Sequence, residues 1–203
     1  MRIKELIHEL KHHLPLTSIA TILAIIVVII FNQTSFDLSE KIFEGFHFAH
    51  IFLASVVASA MFYRYKSKLF FSIIVGILSS VIFGSISDVI FPYLGAFVFN
   101  LKPEFHLPLI EEPILILGVG IFGGLSGIFL KITKLPHFLH VGISVLASMF
   151  YLVSYIPEIN LFFILISFVL VVISVVLPCC IGDIILPFLF LKEKIKHCGC
   201  HEK

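Results

Sequence analysis

Eight residues of this chain have types and spacings suited to holding a metal ion: His13, His47, His50, Asp88, His106, His137, His140 and Asp183. His47 and His50 are spaced i, i+3, as are His137 and His140, which puts both imidazoles of a pair on one helix face. Two ring nitrogens so placed converge on one cation, and neutral imidazole suits zinc, iron, nickel or copper. Asp88 and Asp183 sit inside apolar runs, where inserting a carboxylate costs on the order of 2.5–3.5 kcal/mol. A carboxylate retained at that cost faces a cavity, a cation or a proton path. Plainer roles compete. An isolated HxxH near a helix end can bond headgroups or backbone, and Asp88 beside Gly84, Ser85 and Ser87, or Asp183 beside Gly182, can cap a helix broken ahead of Pro92 or Pro187.

Duplication favours the chemical reading. His13-Leu14-Pro15-Leu16 returns as His106-Leu107-Pro108-Leu109, and His47-Phe48-Ala49-His50 as His137-Phe138-Leu139-His140. Asp88-Val89-Ile90-Phe91-Pro92-Tyr93-Leu94 returns as Asp183-Ile184-Ile185-Leu186-Pro187-Phe188-Leu189. The order is kept at offsets of 90 to 95 residues. Each copy keeps three histidines and one aspartate in an otherwise apolar background, the pattern of an internal repeat.

The elements that must position these residues follow from composition. Of 203 residues, 59% are hydrophobic and 13% charged, with mean hydropathy +1.12. Soluble domains average about 45–50% apolar and about 25% charged, so an all-α integral membrane protein is expected. Six apolar blocks (roughly 14–32, 46–63, 68–99, 107–130, 136–155 and 161–191) are each long enough to span as helices. Their continuous apolarity is unlike the short alternating strands of an outer-membrane barrel. The first block lacks a small-residue cleavage pattern and belongs to the repeat, so it reads as a mature helix rather than a signal peptide.

Cationic spacers orient the helices. Arg2, Lys4 and Lys11 precede the first block, Arg64, Lys66 and Lys68 follow the second, Lys131 and Lys134 follow the fourth, and Lys192, Lys194, Lys196 and Lys203 follow the sixth. Every such cluster falls on one side, which predicts an integral protein of the cell inner or plasma membrane with both termini cytoplasmic. The expected organisation is a cytoplasmic amphipathic segment (1–12), repeat one (13–98), an external linker (99–105), repeat two (106–191) and a cytoplasmic Cys/His tail (192–203). Three helices per copy is an odd number, so the repeats are inverted about a pseudo-two-fold axis in the membrane plane.

Depth counting then groups the ligands. Asp88 lies 20 residues beyond Lys68, about 30 Å at 1.5 Å per residue, which predicts an outer His47/His50/His106/Asp88 cluster. Asp183 lies 23 residues beyond Asn160, about 35 Å, which predicts an inner His13/His137/His140/Asp183 cluster. Three nitrogens and a carboxylate would make a four-ligand site. Alternatively, the third and sixth helices break near Asp88 and Asp183 and bring both carboxylates toward the midplane.

Other residues weigh less. Glu111 and Glu112 open the fourth helix and complement its dipole, with cation attraction as a further role. Cys179 and Cys180 read chiefly as packing. Ser55 and Ser59 recur as Ser144 and Ser148 at i, i+4, a spacing that back-bonds to its own helix or lines a polar path. Gly120, Gly123, Gly124 and Gly127 allow close helix packing. His8, His12 and the tail His197-Cys198-Gly199-Cys200-His201 are short metal-prone tracts. Four cysteines, two of them in the cytoplasmic tail, give no disulfide framework.

In layout the chain resembles small six-helix, three-plus-three inverted-repeat cation exporters, among them manganese and calcium/manganese exchangers. The resemblance is architectural, because their Glu-x-Gly-Asp motif is absent, as is the EExxxR of membrane-embedded prenyl-protein proteases. What the resemblance and the ligands together imply is a divalent transition-metal transporter for zinc, manganese, iron, nickel or cobalt, with proton exchange a natural coupling. Its partners would be the bilayer and metal ions, with a homodimer compatible with so thin a wall, and nothing points to nucleic acid. Two other readings fit the same ligands: a membrane metalloenzyme acting on a lipid-soluble substrate, and a structural or sensory metal-binding membrane protein.

Overall fold

The computed structural model describes residues 3–32, 40–130, 134–156 and 159–189. Among them there are helices and no strands. In chain order these are α1 (Ile3–Asn32), α2 (Glu40–Tyr65), α3 (Leu69–Ser85), a π-helical turn (Ile86–Ile90) and α4 (Phe91–Val98). They are followed by the single turn α5 (Pro108–Glu111), α6 (Pro113–Leu130), α7 (Lys134–Tyr155) and α8 (Leu161–Leu189). Five stretches are long and apolar enough to cross a membrane: His13–Phe31, Glu40–Tyr65, Leu69–Val98, Pro113–Leu130 and Leu161–Pro178. In α7 the apolar stretch is shorter, Leu139–Tyr155. Large apolar side chains such as Phe70, Ile114, Phe129 and Leu161 face outward, the surface that a hydrocarbon solvent accepts.

The residues at helix ends explain where several of these helices start. Glu40 puts a carboxylate in the first turn of α2, where the dipole favours it. Pro113 opens α6, a position whose N–H has no intrahelical partner in any case. Ahead of α8, the Asn160 side-chain oxygen accepts the Phe163 N–H at 2.8 Å, an N-cap bond.

The break expected near Asp88 is not a break. Backbone angles stay right-handed helical from Ser85 through Phe91, and the Phe91 N–H reaches back five residues to the Ile86 carbonyl. Pro92 supplies the reason. It has no N–H for the Asp88 carbonyl, and its ring clashes with that carbonyl in a regular α-helix, so the turn widens instead. No break occurs at the second expected site either, since α8 runs as one α-helix through residue 183. Residues 3–12 form the first turns of α1, ahead of its apolar stretch His13–Phe31.

The helices pack as two groups. α2, α3 and α6 lie against one another, as α7, α8 and α1 do, and the groups meet along α2/α7 and α3/α8. Ile51, Val81 and Ile116 form the core of the first group. A larger apolar cluster including Val28, Met149, Tyr151, Phe163 and Val175 fills the second and reaches the seam. α2 and α7 run antiparallel: Phe43 meets Tyr151 and Tyr155, Phe46 stacks on Phe150, and His50 stacks on His140.

Small residues set the spacing within the first group. A Cβ at Gly123 or Gly127 would strike the backbone carbonyls of Phe52 or Val56 on α2, whereas one at Gly118 would meet nothing within 4 Å. Ser55 uses the same closeness to donate to the Gly120 carbonyl at 2.7 Å. Gly123→Ala and Gly127→Ala should therefore each destabilise the detergent-solubilised protein by about 1–3 kcal/mol in thermal unfolding. Gly118→Ala should show no loss, and equal melting of all three variants would contradict this packing.

Candidate functional site

A carboxylate in an apolar bundle needs hydrogen-bond donors for both oxygens. Asp88 is fully buried on the π-helical turn, and donors reach it from three elements. His47 Nδ1 and His50 Nδ1, one turn apart on α2, lie 2.9 and 2.7 Å from the same oxygen, Oδ2. Oδ1 accepts the Ser87 hydroxyl at 2.7 Å and the Ser144 hydroxyl of α7 at 2.8 Å. One turn along α7, Ser148 Oγ sits 2.8 Å from the Ser144 carbonyl and 3.0 Å from the Ser87 carbonyl, tying α7 to the widened turn. Four donors fill the roughly four lone-pair positions of a carboxylate.

This arrangement dictates the tautomers. An ionised carboxylate only accepts, so both Nδ1 atoms carry protons and a neutral imidazole presents its bare lone pair at Nε2. His47 is fully buried, and its Nε2 has no hydrogen-bond partner. His140, buried on α7, stacks on His50 with ring centroids 5.7 Å apart and planes within 6°. Gly84 lets α3 lie close to α2 beside this site, since a Cβ there would come within 2.7 Å of Ile51 Cδ1.

The observed grouping differs from the expected one in two ways. His140, assigned to an inner cluster, stands beside His50, because α7 crosses α2 at this depth. His106, assigned to the Asp88 cluster, lies instead among glutamates. Its Nδ1 is 2.8 Å from Glu111 Oε2 and 3.2 Å from Glu40 Oε1, and its Nε2 is 3.5 Å from Glu44 Oε1. Phe43 stands between the groups, stacked on His47 at 5.6 Å and edge-on to His106 at 5.9 Å. Glu40, Glu44 and Glu111 thus join the candidate residues. Helical periodicity from His47 back to Glu44 and Glu40 was the available signal for two of them.

Among the other candidates, His13 is buried on α1. The backbone at His137 and Asp183 belongs to α7 and α8, but their side chains, with those of Cys179 and Cys180, lie outside the described residues, as does the tail from residue 192. His8 and His12, named above only as a metal-prone tract, belong to the run His8-Glu9-Leu10-Lys11-His12, which has the HExxH spacing of a helical zinc site. Its helix is α1, and the side chains of His8, Glu9 and His12 also lie outside the described residues.

Removing one donor from the buried carboxylate should be costly. Ser144→Ala is expected to destabilise the protein by about 1–2 kcal/mol in thermal unfolding. Ser126→Ala, which removes an exposed hydroxyl bonded only to its own helix, serves as the control. Matching values for the two variants would mean the Asp88 network contributes nothing to stability.

No protein-family model, no curated protein and no solved structure matches this chain.

Proposed function

We propose that this chain is a divalent transition-metal transporter built from two inverted three-helix repeats, six spanning helices in all, with α7 as the fifth and both termini cytoplasmic. The observation that carries the reading is the Asp88 carboxylate holding two imidazoles of one helix by their Nδ1 atoms. A carboxylate that fixes a histidine by one nitrogen orients the other toward a metal and raises its basicity. Asp88 then acts as the orienting anion, with His47 Nε2 and His50 Nε2 as the metal-facing atoms. The metal would come from the zinc, manganese, iron, nickel or cobalt class, which imidazole nitrogen suits.

Helix adjacency supports the inversion. Exchanging α1 with α6, α2 with α7 and α3 with α8 turns the main neighbour pairs within the two groups into one another: α1/α8 into α6/α3, α1/α7 into α6/α2, and α2/α3 into α7/α8. The antiparallel course of α2 and α7 is what inversion, rather than parallel duplication, requires. Buried serines follow the same register, since Ser72 and Ser79 precede Asp88 as Ser167 and Ser174 precede Asp183. In this scheme each repeat lends its first helix to the other, and the Asp88 site lies at the seam. Rocking one group against the other would open that seam alternately to the two sides. Protons compete for the same ring nitrogens, which makes proton exchange the natural coupling.

The purified protein in liposomes should move at least one of zinc, manganese, iron, cobalt or nickel above the rate of empty liposomes. Asp88→Asn and His50→Ala should each lower that flux by roughly 10–100-fold. No flux of any of the five metals, or Asp88→Asn at wild-type rate, would sink the reading. A metalloenzyme reading is favoured by one observation, the HExxH run at residues 8–12. Zinc retained by wild type and lost in His8→Ala, together with zero flux, would put that reading in first place.

A further inference from the structure

Beyond the buried site stands the second group of side chains, at the end of the bundle where α2 begins. We propose that Glu40, His106 and Glu111 form a separate binding site for a first-row divalent transition-metal ion, with Glu44 accepting the remaining imidazole N–H. The inference concerns equilibrium binding and does not depend on transport.

Three observations carry it. The first is dimensional. One ligand atom from each of Glu40, His106 and Glu111 lies within 4.8 Å of the others, and the two contacts to His106 Nδ1 are 2.8 and 3.2 Å. Metal–ligand bonds of about 2.0–2.2 Å at tetrahedral angles separate neighbouring ligand atoms by about 3.4 Å. Small side-chain adjustments therefore convert the triangle into a coordination face. One imidazole and two carboxylates are a borderline-to-hard donor set, which suits manganese, iron, cobalt or zinc over copper(I) or an all-oxygen calcium site.

The second observation concerns the far side of the ring. His106 is only 7% exposed, and its Nε2 has no hydrogen-bond partner although Glu44 Oε1 stands 3.5 Å away. In the metal-free protein the Nδ1 proton serves Glu40 and Glu111, and Nε2 is left idle. Binding a cation at Nδ1 moves the imidazole proton to Nε2, where a small shift completes a bond to Glu44. The idle nitrogen and waiting carboxylate are what a metal-bound histidine uses to fix its tautomer.

The third is preorganisation. His106 lies on the segment between α4 and α5, and that segment is pinned to α7. The Glu104 N–H donates to the Tyr155 carbonyl at 3.0 Å, and the Tyr151 hydroxyl donates to the Glu104 carbonyl at 3.0 Å. Tyr155 stacks on the imidazole at 5.1 Å and 20°, and Phe43 closes its edge. The ring is thus oriented before any ion arrives, while Glu40 and Glu111, each about half exposed, remain open to solvent.

The test is calorimetric titration of the full-length protein in detergent with Zn²⁺ and Mn²⁺, alongside thermal unfolding with and without Zn²⁺. The Glu40→Gln/Glu111→Gln double variant should lose one bound metal or bind it roughly 10–100-fold more weakly, and Glu44→Ala should weaken it by the lower part of that range. His50→Ala should keep this site. Imidazole ¹⁵N shifts of His106 should place zinc on Nδ1 and the proton on Nε2. If the double variant does not fold, Glu44→Ala and Glu111→Gln decide through binding and through loss of the zinc-induced rise in melting temperature. Wild-type stoichiometry and affinity in these variants, zinc on Nε2, or equal affinity for Ca²⁺ would overturn the proposal. The cluster would then be a latch that ties the α4–α5 segment to α2.

Discussion

The demand of one buried carboxylate for donors organises this bundle. Asp88 cannot be solvated by water or lipid where it sits, and leaving either oxygen bare would cost more than most single packing contacts provide. Its donors come from α2, from its own turn and from α7. Those three elements must therefore meet at one depth and in one register. Pro92 widens the turn that presents Asp88 and Ser87 together, Gly84 lets α3 approach α2, and Ser148 ties the turn to α7. A change in any of these moves a donor away from the anion.

The same constraint gives the two polar groups different chemistry. At Asp88 the carboxylate is saturated by donors, so the unused capacity belongs to the imidazole Nε2 atoms. At His106 the carboxylates outnumber the donors, so most of the unused capacity belongs to oxygen, with the imidazole Nε2 idle beside Glu44. Phe43, fully buried, separates a nitrogen-rich interior from a carboxylate-rich mouth. In the proposed transporter the first meeting of a cation with the protein is electrostatic, through Glu40, Glu44 and Glu111, and the second is selective, through imidazole nitrogen.

Much of the local chemistry was legible from the chain alone, because it depends on types and periods. The i, i+3 histidines share a face on any helix, and an aspartate in an apolar run must find partners wherever it lands. Counting residues from Lys68 was enough to bring Asp88 level with His47 and His50. Pro92 was legible as a disturbance, but a proline four residues after a carbonyl is satisfied equally by a break or by a π-turn, and continuous packing on both sides selected the π-turn. His106 was misplaced because depth alone fixed its expected partner. Depth does not say which way a loop residue turns, and Glu40 and Glu111 at the same level offered stronger partners than Asp88, whose lone pairs were already taken.

By itself, then, the sequence determined an apolar helical chain, the repeat of its polar residues, and the pairing of His47 and His50 with a carboxylate at their depth. These follow from composition, period and rise per residue, which are local quantities. Only the tertiary structure decided that α7 crosses α2 so that His140 stacks on His50 and Ser144 completes the Asp88 shell. It also decided that His106 belongs to the glutamates. The crossing of two helices and the turning of a loop depend on glycine-sized clearances and ring contacts between residues far apart in the chain, from Ile51 and Gly84 to Phe43 and Tyr151, and no local pattern encodes those.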